Sequence, residues 1–434
     1  MKKNLSVISG RVIFLGLGSE NHSLLAWLHR HGFREPITVY DPSRASALGT
    51  RYESLLRFKN IEWQLGSRSM PALSRFDAIV RSPGILITPS ERRNLADRIT
   101  CPMQLFLALC PSRHTIGVTG TKGKGTTSSL IAAILKQAGK RVWLGGNIGL
   151  APFSFMDKIK PSDWIVLELS SFQLQDMASS PHIAVFTNFS PEHLASSDPN
   201  NPNFHPNLSA YWQAKTAIMR FQQRGDIAIA NVSLKPALKK ANLRSRLEYF
   251  SASRLETSLP GAHNKENIAA AHAAAQVAGV SSRHITAAVK RFKGLEYRVQ
   301  KIAVRSGISY YNDSFATTPI ATMTALSSFA DPIILLAGGA DKGSSFDQMA
   351  RLIAKKAKAV ILFKGTALAK LKRSLKKAKY RGTIHEAASM KAALACARRE
   401  AKKGDIILLS PGCASFGVFK NYKDRGKQFT QSIR

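Results

Sequence analysis

The chain has 434 residues, of which 44% are hydrophobic, and it carries 29 glycines and 19 prolines. This length is too great for one ordinary core and predicts two to four domains, while the composition excludes disordered and fibrous proteins and no segment is typical of a membrane span. The 63 Lys and Arg residues against 27 Asp and Glu residues give a net charge of +36, which raises nucleic-acid binding as one function class.

The distribution of the charge argues against a nucleic-acid partner, because the basic residues are scattered along the chain. In the densest run, from Lys370 to Lys379, Leu371 and Leu375 are four positions apart with lysines on the other side. That spacing is typical of a solvated amphipathic helix. We interpret the charge as a basic surface that favours anionic substrates such as nucleotides, with nucleic-acid binding as the competing hypothesis.

The cysteines and the N-terminus both indicate a cytoplasmic protein. The four cysteines show no metal-ligand spacing and are too few to cross-link a chain of this size. The apolar stretch from Met1 to Gly18 is interrupted by Arg11 and is followed by no small-residue cleavage site, so we interpret it as a first strand and not as a signal peptide.

The chain opens with a βαβ pattern. An apolar run at residues 11–16 ends in Gly16-Leu17-Gly18, and a helical pattern follows before a second strand that ends at Asp41. Asn21 occupies the position of the third glycine of a dinucleotide fingerprint, so a dinucleotide cofactor is not expected. An aspartate at the position of Asp41 can bind a ribose or a base, although an ordinary turn residue is the more common meaning.

A further strand, predicted at residues 76–80, leads into a short turn of Ser82, Pro83 and Gly84. Backbone amides in such a turn can hold a phosphate, and a plain loop is an equally good interpretation of this turn alone.

Residues 117–127, GVTGTKGKGTT, form the strongest local signal, a glycine-rich loop between a predicted strand (residues 115–119) and a predicted helix (residues 126–139). Backbone N–H groups would surround the phosphates, Lys124 would supply a positive charge, and Thr126 or Thr127 would offer a hydroxyl to Mg²⁺. The loop departs from the usual pattern at Val118 and Gly125. It predicts ATP binding by Gly120, Thr121, Lys122, Gly123, Lys124, Gly125, Thr126 and Thr127.

From about residue 299 onward, strand-like runs at residues 308–311, 333–337, 359–363 and 406–409 alternate with helical stretches. The predicted fold is α/β with three consecutive domains. These are a Rossmann-like N-terminal domain (residues 1–112), a P-loop-type central ATPase domain with a mainly parallel sheet (residues 113–298) and a Rossmann-like C-terminal domain (residues 299–434).

Three further motifs accompany the loop: GNIG at residues 146–149, VLELSSFQL at residues 166–174 and LSPGCAS at residues 409–415. Together they resemble the glutamate-adding branch of the Mur ligase family over nearly the whole chain. The resemblance implies an ATP- and Mg²⁺-dependent monomeric ligase that joins glutamate to UDP-N-acetylmuramoyl-L-alanine in peptidoglycan precursor synthesis. Folylpolyglutamate synthase shares the loop and is the alternative, against which the N-terminal domain and the Glu168 motif speak.

By this resemblance the first domain binds the UDP part of the substrate, with Asp41 near the uracil and Ser82, Pro83 and Gly84 around the diphosphate. Asn147 and Gln173 approach the same substrate from the central domain. Taken alone, an Asn between glycines is often only a turn residue.

The resemblance also implies a catalytic and metal-binding cluster of Lys124, Glu168, His193 and Lys215, with Thr126 as a further metal ligand. An ammonium cannot ligate a metal, so the resemblance implies that Lys215 is carbamylated by CO₂. Taken singly, these residues could equally be a strand-end Glu, a loop His and a helix-surface Lys.

For the nucleotide, the resemblance places Asn264 and Asn267 near adenine, Arg298 near the phosphates and Asp313 among the nucleotide contacts. It implies that glutamate is bound by Thr317, Lys342, Ser415 and Tyr422. An Asn near the start of a helix is often only a cap.

Two positions depart from the family pattern. Phe315 follows Asp313-Ser314 where the family usually has a Lys, and Tyr297 precedes Arg298 where a His is common. The loss of the Lys removes a positive charge near phosphate or amino acid, a departure shared with divergent members that add L-glutamate. D-glutamate is the first choice for the substrate and L-glutamate the alternative.

Overall fold

A computed structural model describes residues 8–67, 69–194 and 203–433 and contains three separate β-sheets, one after another along the chain. The first sheet has five parallel strands in the order β3-β2-β1-β4-β5, which is a Rossmann-type order. Its strands are β1 (Val12–Leu15), β2 (Ile37–Asp41), β3 (Ile61–Leu65), β4 (Ala78–Arg81) and β5 (Ile99–Thr100). Its helices are α1 (Ser19–Arg30), α2 (Ala45–Leu48), α3 (Thr50–Glu53), α4 (Pro89–Asn94) and α5 (Pro102–Leu109).

The second sheet has six parallel strands in the order β11-β10-β9-β6-β8-β7. Its central strands are buried along their whole length, because helices cover both faces of a parallel sheet. The strands are β6 (Thr115–Thr119), β7 (Val142–Gly146), β8 (Trp164–Glu168), β9 (Ile183–Phe186), β10 (Ile227–Asn231) and β11 (Arg246–Phe250). The helices of this part of the chain are α6 (Lys124–Gln137), α7 (Ser171–Leu174), α8 (Leu208–Arg220), α9 (Lys235–Leu238), α10 (His263–Val277) and α11 (Ser282–Arg291).

The third sheet has the order β12-β13-β17-β14-β15-β16, in which β12 runs antiparallel to β13 and the other pairs are parallel. Its strands are β12 (Gln300–Arg305), β13 (Ile308–Asn312), β14 (Ile333–Ala337), β15 (Ala357–Phe363), β16 (Thr383–Ala387) and β17 (Ile406–Leu409). Its helices are α12 (Pro319–Ser327), α13 (Asp347–Lys356), α14 (Leu368–Lys377), α15 (Met390–Glu400) and α16 (Tyr422–Gln431).

The predicted α/β class and the three sheets are confirmed, with β6, β14 and β17 at the predicted residues. Several predicted boundaries differ from the structure: the strand predicted at residues 76–80 is Ala78–Arg81, and the helix predicted at residues 126–139 is Lys124–Gln137. The helix after the glycine loop begins at Lys124 and not at Thr126, because Gly123 has a left-handed φ of 81° and the helix starts directly after it. Strand β4 extends to Arg81, whose side chain is buried and paired.

Contacts divide the chain into two units: residues 8–253 with 266–288, and residues 254–265 with 289–433. Within the first unit, the first two sheets share one hydrophobic core, in which Trp27 and Phe106 contact Phe153 with ring centroids 5.2 Å and 5.9 Å apart. Each sheet lies inside one of the three predicted domains, and the exact domain boundaries stay a prediction.

A buried polar cluster also joins the first two sheets. The Arg81 guanidinium is fully buried and pairs with the buried carboxylate of Asp176, which also pairs with Arg92. Arg81 donates a further hydrogen bond to the backbone carbonyl of Phe172. A buried charge is stable only when it is paired and hydrogen bonded, so these contacts hold the two sheets in one arrangement.

The basic helix α14 confirms the predicted pattern, since Leu371 and Leu375 are buried and face the core. On its solvent side, Lys372 pairs with Glu386 at 2.8 Å and Lys377 pairs with Asp347 at 2.6 Å. None of the helices in the described ranges combines the length and apolar character that crossing a bilayer requires.

We expect Asp176→Ala to lower the free energy of unfolding of the first unit by about 3 kcal/mol, because it leaves Arg81 buried without its counter-charge. Urea unfolding followed by tryptophan emission measures this unit, since all five tryptophans lie between Trp27 and Trp212.

The matched control is Glu248→Ala, which removes the exposed Arg246–Glu248 pair of the same unit. We expect that change to cost less than about 0.5 kcal/mol. Equal effects of the two substitutions would contradict a structural role for the buried pair.

Candidate functional site

Four loops meet at the carboxyl edge of the second sheet. The sheet order places β9, β6, β8 and β7 side by side, and because the strands are parallel, their following loops lie at the same edge. These loops carry the predicted residues His193, Gly120 to Gly123, Glu168 and Asn147. The topology therefore brings together residues that lie up to 73 positions apart in the chain.

The glycine loop after β6 is closely packed against its neighbours. Gly120 has a φ of 150°, and a Cβ atom on it would lie 1.9 Å from the Thr187 hydroxyl oxygen. Gly123 has a φ of 81°, and its Cβ would lie 2.0 Å from the Asn267 side-chain oxygen. Only glycine fits both positions, because the backbone conformation and the space each exclude a side chain.

Two lysines point at one backbone carbonyl of this loop. Lys124 Nζ donates to the carbonyls of Gly120 and Thr121 at 3.0 Å and 3.1 Å, and Lys215 Nζ donates to the same Gly120 carbonyl at 2.6 Å. Lys215 is only 1% exposed. Burial lowers the pKa of Lys215 well below its usual value, and the nearby charge of Lys124 lowers it further.

The loop after β9 fixes the outer part of the glycine loop. The Asn188 side chain accepts a hydrogen bond from the Lys122 backbone N–H at 2.8 Å, and Lys122 Nζ pairs with Glu192 at 2.7 Å. The Thr121 hydroxyl donates to the Ser190 carbonyl at 3.1 Å. Thr121 and Lys122 therefore shape the loop with their side chains.

The first turn of α6 separates the two candidate threonines. Thr127 is buried and its hydroxyl donates to Asn267 Oδ1 at 3.5 Å, whereas Thr126 is partly exposed beside the buried Gly125. Of the two hydroxyls, that of Thr126 is therefore the better placed to meet a cation. Asn267 contacts the first turn of α6 through this bond, and its contact with adenine stays a prediction.

Glu168 ends β8 with a carboxylate that is 4% exposed. One of its oxygens accepts a hydrogen bond from Asn147 Nδ2 at 2.9 Å. The other oxygen is buried and, among the described residues, has no hydrogen-bond partner. An unpaired buried carboxylate oxygen is costly unless a cation or a donor joins it.

His193 has an unusual backbone with a φ of 58°, and its carbonyl accepts a hydrogen bond from the His205 backbone N–H at 2.8 Å. Burial lowers the pKa of His193. The negative charge of Glu192 raises this pKa, and the positive charges of Lys215 and Lys124 lower it further. The His205 ring stacks on Phe172 at 4.8 Å, and burial lowers the pKa of His205 to about 4. The His205 imidazole is therefore held neutral near pH 7, and the surroundings of His193 favour its neutral form.

Within the described part of the chain, no three His, Cys, Asp or Glu side chains are close enough together to hold a metal ion. A divalent cation here would need the unpaired Glu168 oxygen together with ligands of other kinds.

In the first sheet, Asp41 lies at the carboxyl edge, but its carboxylate is used to hold the backbone. It accepts hydrogen bonds from the N–H groups of Leu17 at 2.7 Å and Ser43 at 2.8 Å. The turn of Ser82, Pro83 and Gly84 lies at the same edge, directly after β4. Asp41 therefore shapes the neighbouring glycine turn, and direct contact of its carboxylate with a ligand stays a prediction.

Sequence reasoning missed Arg81, whose side chain hydrogen bonds to the turn of Ser82, Pro83 and Gly84. Its guanidinium donates to the carbonyls of Pro83 at 3.2 Å and Ile85 at 2.8 Å. Asn203 donates to the Pro83 carbonyl at 2.7 Å from the other side. A charged residue at the end of a buried strand is the sequence signal that could have revealed Arg81.

Gln173 is buried, and its side chain completes a capping box at the start of α7. Its Oε1 accepts hydrogen bonds from the backbone N–H and hydroxyl of Ser170 at 2.7 Å and 2.9 Å, and its amide donates to Glu20. Burial raises the pKa of Glu20 to about 7. Gln173 thus links the first two sheets, and direct substrate contact by its side chain stays a prediction.

The second unit places Asp313, Lys342 and Ser415 after β13, β14 and β17, which are neighbours in the third sheet. Asp313 is buried and accepts hydrogen bonds from Ser410 Oγ at 2.7 Å and the Val299 backbone N–H at 3.2 Å. Burial raises the pKa of Asp313 to about 7.

The departure at Phe315 has a structural counterpart. The Arg298 guanidinium lies over the Phe315 ring, 4.0 Å from its centroid, and Tyr422 meets the same ring edge-on at 5.1 Å. A cation over an aromatic face is attracted by the ring quadrupole. Phe315 therefore positions a positive charge next to the place where a lysine was expected.

The remaining predicted residues of this unit have local contacts. Lys342 Nζ lies 5.9 Å from the Phe416 ring centroid, Asn264 donates to the Pro260 carbonyl at 2.7 Å, and Thr317 is partly exposed. Sequence reasoning missed Arg425, which is fully buried and donates to the Ser314 hydroxyl at 3.0 Å. No sequence signal singled out Arg425 from the other 62 basic residues.

We expect Gly120→Ala to weaken ADP binding by about tenfold or more, because the added Cβ moves Thr187 and strains the loop. Titration calorimetry measures the dissociation constant. The control is Gly139→Ala, where φ is 75° and no atom lies within 4 Å of the new Cβ. Unchanged ADP affinity in Gly120→Ala would exclude this loop as the phosphate site.

Two family models match the chain: the Mur ligase middle domain at residues 118–253 and the Mur ligase glutamate ligase domain at residues 297–413. A UDP-N-acetylmuramoylalanine--D-glutamate ligase from Symbiobacterium thermophilum is 37% identical, with 98% of this chain and 97% of the relative covered. A ligase of the same name from Acetivibrio thermocellus is 34% identical, with 98% and 96% covered.

Solved structures share the fold. The MurF ligase of Thermotoga maritima in complex with ADP has a TM-score of 0.56 at 16% identity, with 99% of each chain covered. A D-alanyl-D-alanyl-adding ligase of Acinetobacter baumannii has a TM-score of 0.58 at 14% identity, with 100% of this chain and 97% of the other covered. With two family models and full-length relatives in agreement, this chain belongs to the Mur ligase family of ATP-dependent amide ligases.

Proposed function

We propose that the protein adds glutamate to UDP-N-acetylmuramoyl-L-alanine, using ATP, in peptidoglycan precursor synthesis. Its full-length relatives carry the name of that activity. The observation that carries the proposal is the meeting of Lys124 and Lys215 at the Gly120 carbonyl, at the sheet edge that also holds Glu168. The Lys124 ammonium thus lies at the place proposed for the approach of the two anionic reactants, and Lys215 lies beside it.

Joining an amine to a carboxylate needs activation. An oxygen of the alanine carboxylate attacks the γ-phosphorus of ATP, which forms an acyl phosphate and releases ADP. The glutamate nitrogen then attacks the acyl carbon, and inorganic phosphate leaves as the amine loses its proton. Such steps depend mainly on positioning and on neutralising the charge of the transferred phosphoryl group.

Lys124 is the residue that neutralises phosphate charge in this proposal. Its ammonium donates to two carbonyls of its own loop, so a phosphate oxygen can replace these acceptors with little movement of the side chain. The N–H groups of the loop and of the first turn of α6 supply further donors. The proposed phosphate site consists of Lys124 with Gly120, Thr121, Lys122, Gly123, Gly125, Thr126 and Thr127. The proposed remaining nucleotide contacts are Asn264, Asn267, Arg298 and Asp313.

The residues present fit a Mg²⁺ ion. Glu168 has a buried oxygen without a partner among the described residues, and Thr126 has a partly exposed hydroxyl at the first turn of α6. Oxygen ligands suit this hard ion, which commonly keeps water and phosphate ligands as well. When bound, Mg²⁺ would offset the charge of the phosphates. His193 is proposed as a further ligand, and its neutral imidazole can bind a metal.

Lys215 can add a carboxylate to this set. Its amine is buried, and burial disfavours the charged ammonium. A neutral amine attacks the carbon of CO₂, forms an N–C bond and releases a proton, which yields a carbamate. We include this modification in the proposal because it converts a buried cation into an oxygen ligand beside Glu168.

The UDP part of the substrate is assigned to the carboxyl edge of the first sheet. Asp41 and Gln173 hold the backbone next to this edge through their hydrogen bonds. The turn of Ser82, Pro83 and Gly84 offers backbone donors to the diphosphate. Asn147, hydrogen bonded to Glu168, is assigned to the part of the substrate nearest the reacting carboxylate.

Glutamate is assigned to the second unit, to Thr317, Lys342, Ser415 and Tyr422. Lys342 is exposed and offers a positive charge to the side-chain carboxylate, and Ser415 can add a hydroxyl donor. D-glutamate is the proposed stereoisomer, as in the names of the relatives. The proposal also takes the protein to be a cytoplasmic monomer.

The test is product formation from UDP-N-acetylmuramoyl-L-alanine and ATP with D- or L-glutamate supplied separately, followed by mass spectrometry. We expect the dipeptide product only with D-glutamate. Product with L-glutamate alone would identify the divergent stereochemistry. Product with a folate acceptor, and none with the UDP-linked one, would overturn the proposal in favour of folylpolyglutamate synthesis.

We expect Lys215→Ala to lower kcat by more than about a hundredfold and added formate or acetate to restore part of it, because a small carboxylate can occupy the place of the carbamate. Lys235→Ala, which removes a lysine that covers the exposed side of Tyr249 in the same unit, is the control and should leave kcat unchanged. Full activity of Lys215→Ala without any added acid would exclude the metal-ligand role.

A further inference from the structure

The first unit contains a cavity of about 540 Å³ that takes no part in the proposed reaction. It lies between the segment that leads into α4, the end of α7 and one face of α8, and all its lining residues are in the described part of the chain. Pockets of 300 to 1,000 Å³ are the usual size for small-molecule sites. None of the glycine-loop residues lines the cavity, so the cavity is separate from the proposed phosphate site.

The cavity exists because α8 presents small side chains to it. Ala210, Ala214 and Ala217 follow one another at helical spacings of four and three residues, so they lie on the same face of α8. Larger apolar side chains complete the lining, among them Ile87, which precedes α4, and Phe221, which follows α8. An apolar, partly enclosed space of this kind fits a flat ring system or a short acyl chain.

The charged groups around the cavity are positive. Arg92 and Arg220 line it, and no Asp or Glu is among its lining residues. Asp176, which is fully buried behind the wall, is shared by Arg92 and Arg81, so this cluster has two guanidinium groups for one carboxylate. Arg220, at the end of α8, donates a hydrogen bond to the Gln213 carbonyl at 3.1 Å, which holds its guanidinium in place. The lining thus complements an anionic head group.

One wall of the cavity also holds parts of the candidate active site. Asn203 and His205 line it and are 6% and 2% exposed. Asn203 donates to the Pro83 carbonyl at 2.7 Å, and the His205 backbone N–H donates to the His193 carbonyl at 2.8 Å. A ligand in the cavity would therefore contact the residues that hold the diphosphate turn and His193.

We propose that this cavity is a second ligand site, for a compact apolar molecule with one anionic group, through which the position of His193 is regulated. The apolar body lies against the alanine face of α8, and the anionic group faces Arg220, because the Arg92 guanidinium already pairs with Asp176. The site does not depend on which amino acid or acceptor the enzyme uses.

Titration calorimetry of the full chain with naphthalene-1-carboxylate tests the proposal, with the neutral 1-naphthalenemethanol as the matched probe. We expect one molecule of the carboxylate to bind per chain, about tenfold more tightly than the alcohol, because a charged hydrogen bond to Arg is lost in the alcohol. Saturating ADP should leave this binding unchanged. Displacement by ADP or equal affinity for the two probes would overturn the proposal.

Two variants locate the site. Ala210→Trp fills the cavity and should abolish binding, whereas Ser209→Trp adds the same ring to an exposed neighbouring position of α8 and should leave it unchanged. Arg220→Gln should weaken carboxylate binding about fivefold without affecting the alcohol. If Ala210→Trp fails to fold, Arg220→Gln decides, and wild-type affinity in either folded variant would refute the site.

A regulatory role has its own readout. In the wild type, the naphthalene carboxylate should change the rate of glutamate-dependent ADP release, and Ala210→Trp should remove that response. Binding at the cavity with no change in rate would refute the regulation of His193. The rate measurement rests on the proposed ligase activity, whereas the calorimetry does not. Failure of the ligand site is therefore distinguishable from failure of the proposed ligase activity.

Discussion

The close approach at Gly120 is the constraint on which the first unit depends. Its carbonyl accepts hydrogen bonds from both Lys124 and Lys215, and its α-carbon lies against Thr187 with no room for a side chain. Three segments that are distant in sequence therefore meet at one peptide group. Burial and the nearby charge of Lys124 disfavour the ammonium form of Lys215, so two full positive charges are not stable side by side in this poorly solvated space.

Parallel strands explain why so many functional side chains gather at this edge. All strands of a parallel sheet end on the same side, so each following loop contributes one or two residues to a shared surface. Glu168 ends β8, and the glycine loop and His193 follow the neighbouring strands β6 and β9. The third sheet repeats the principle with Asp313, Lys342 and Ser415.

A buried polar connection links this edge to the turn after β4. Arg81 holds the carbonyls of Pro83 and Ile85 and is itself held by Asp176 and the Phe172 carbonyl. A buried arginine with several acceptors cannot move without losing them together, which is costly in a low-dielectric interior. The first two sheets thus present their carboxyl edges as parts of one body, which suits an enzyme that has to hold a long substrate against a nucleotide.

The α/β class, the positions of most central strands and the glycine loop were predictable from the amino-acid sequence, because these depend on local periodicity and on residue types that allow few conformations. The family was predictable as well, through motifs such as GNIG and VLELSSFQL. The partners of the polar side chains depend on the tertiary structure. Asp41 and Gln173 are predicted to contact substrate, and the structure shows what the sequence did not, that their polar groups also hydrogen bond to the backbone and to other side chains. Arg425, His205 and the cavity beside α8 were not predictable, since burial and pairing arise only when segments that are distant in sequence pack together.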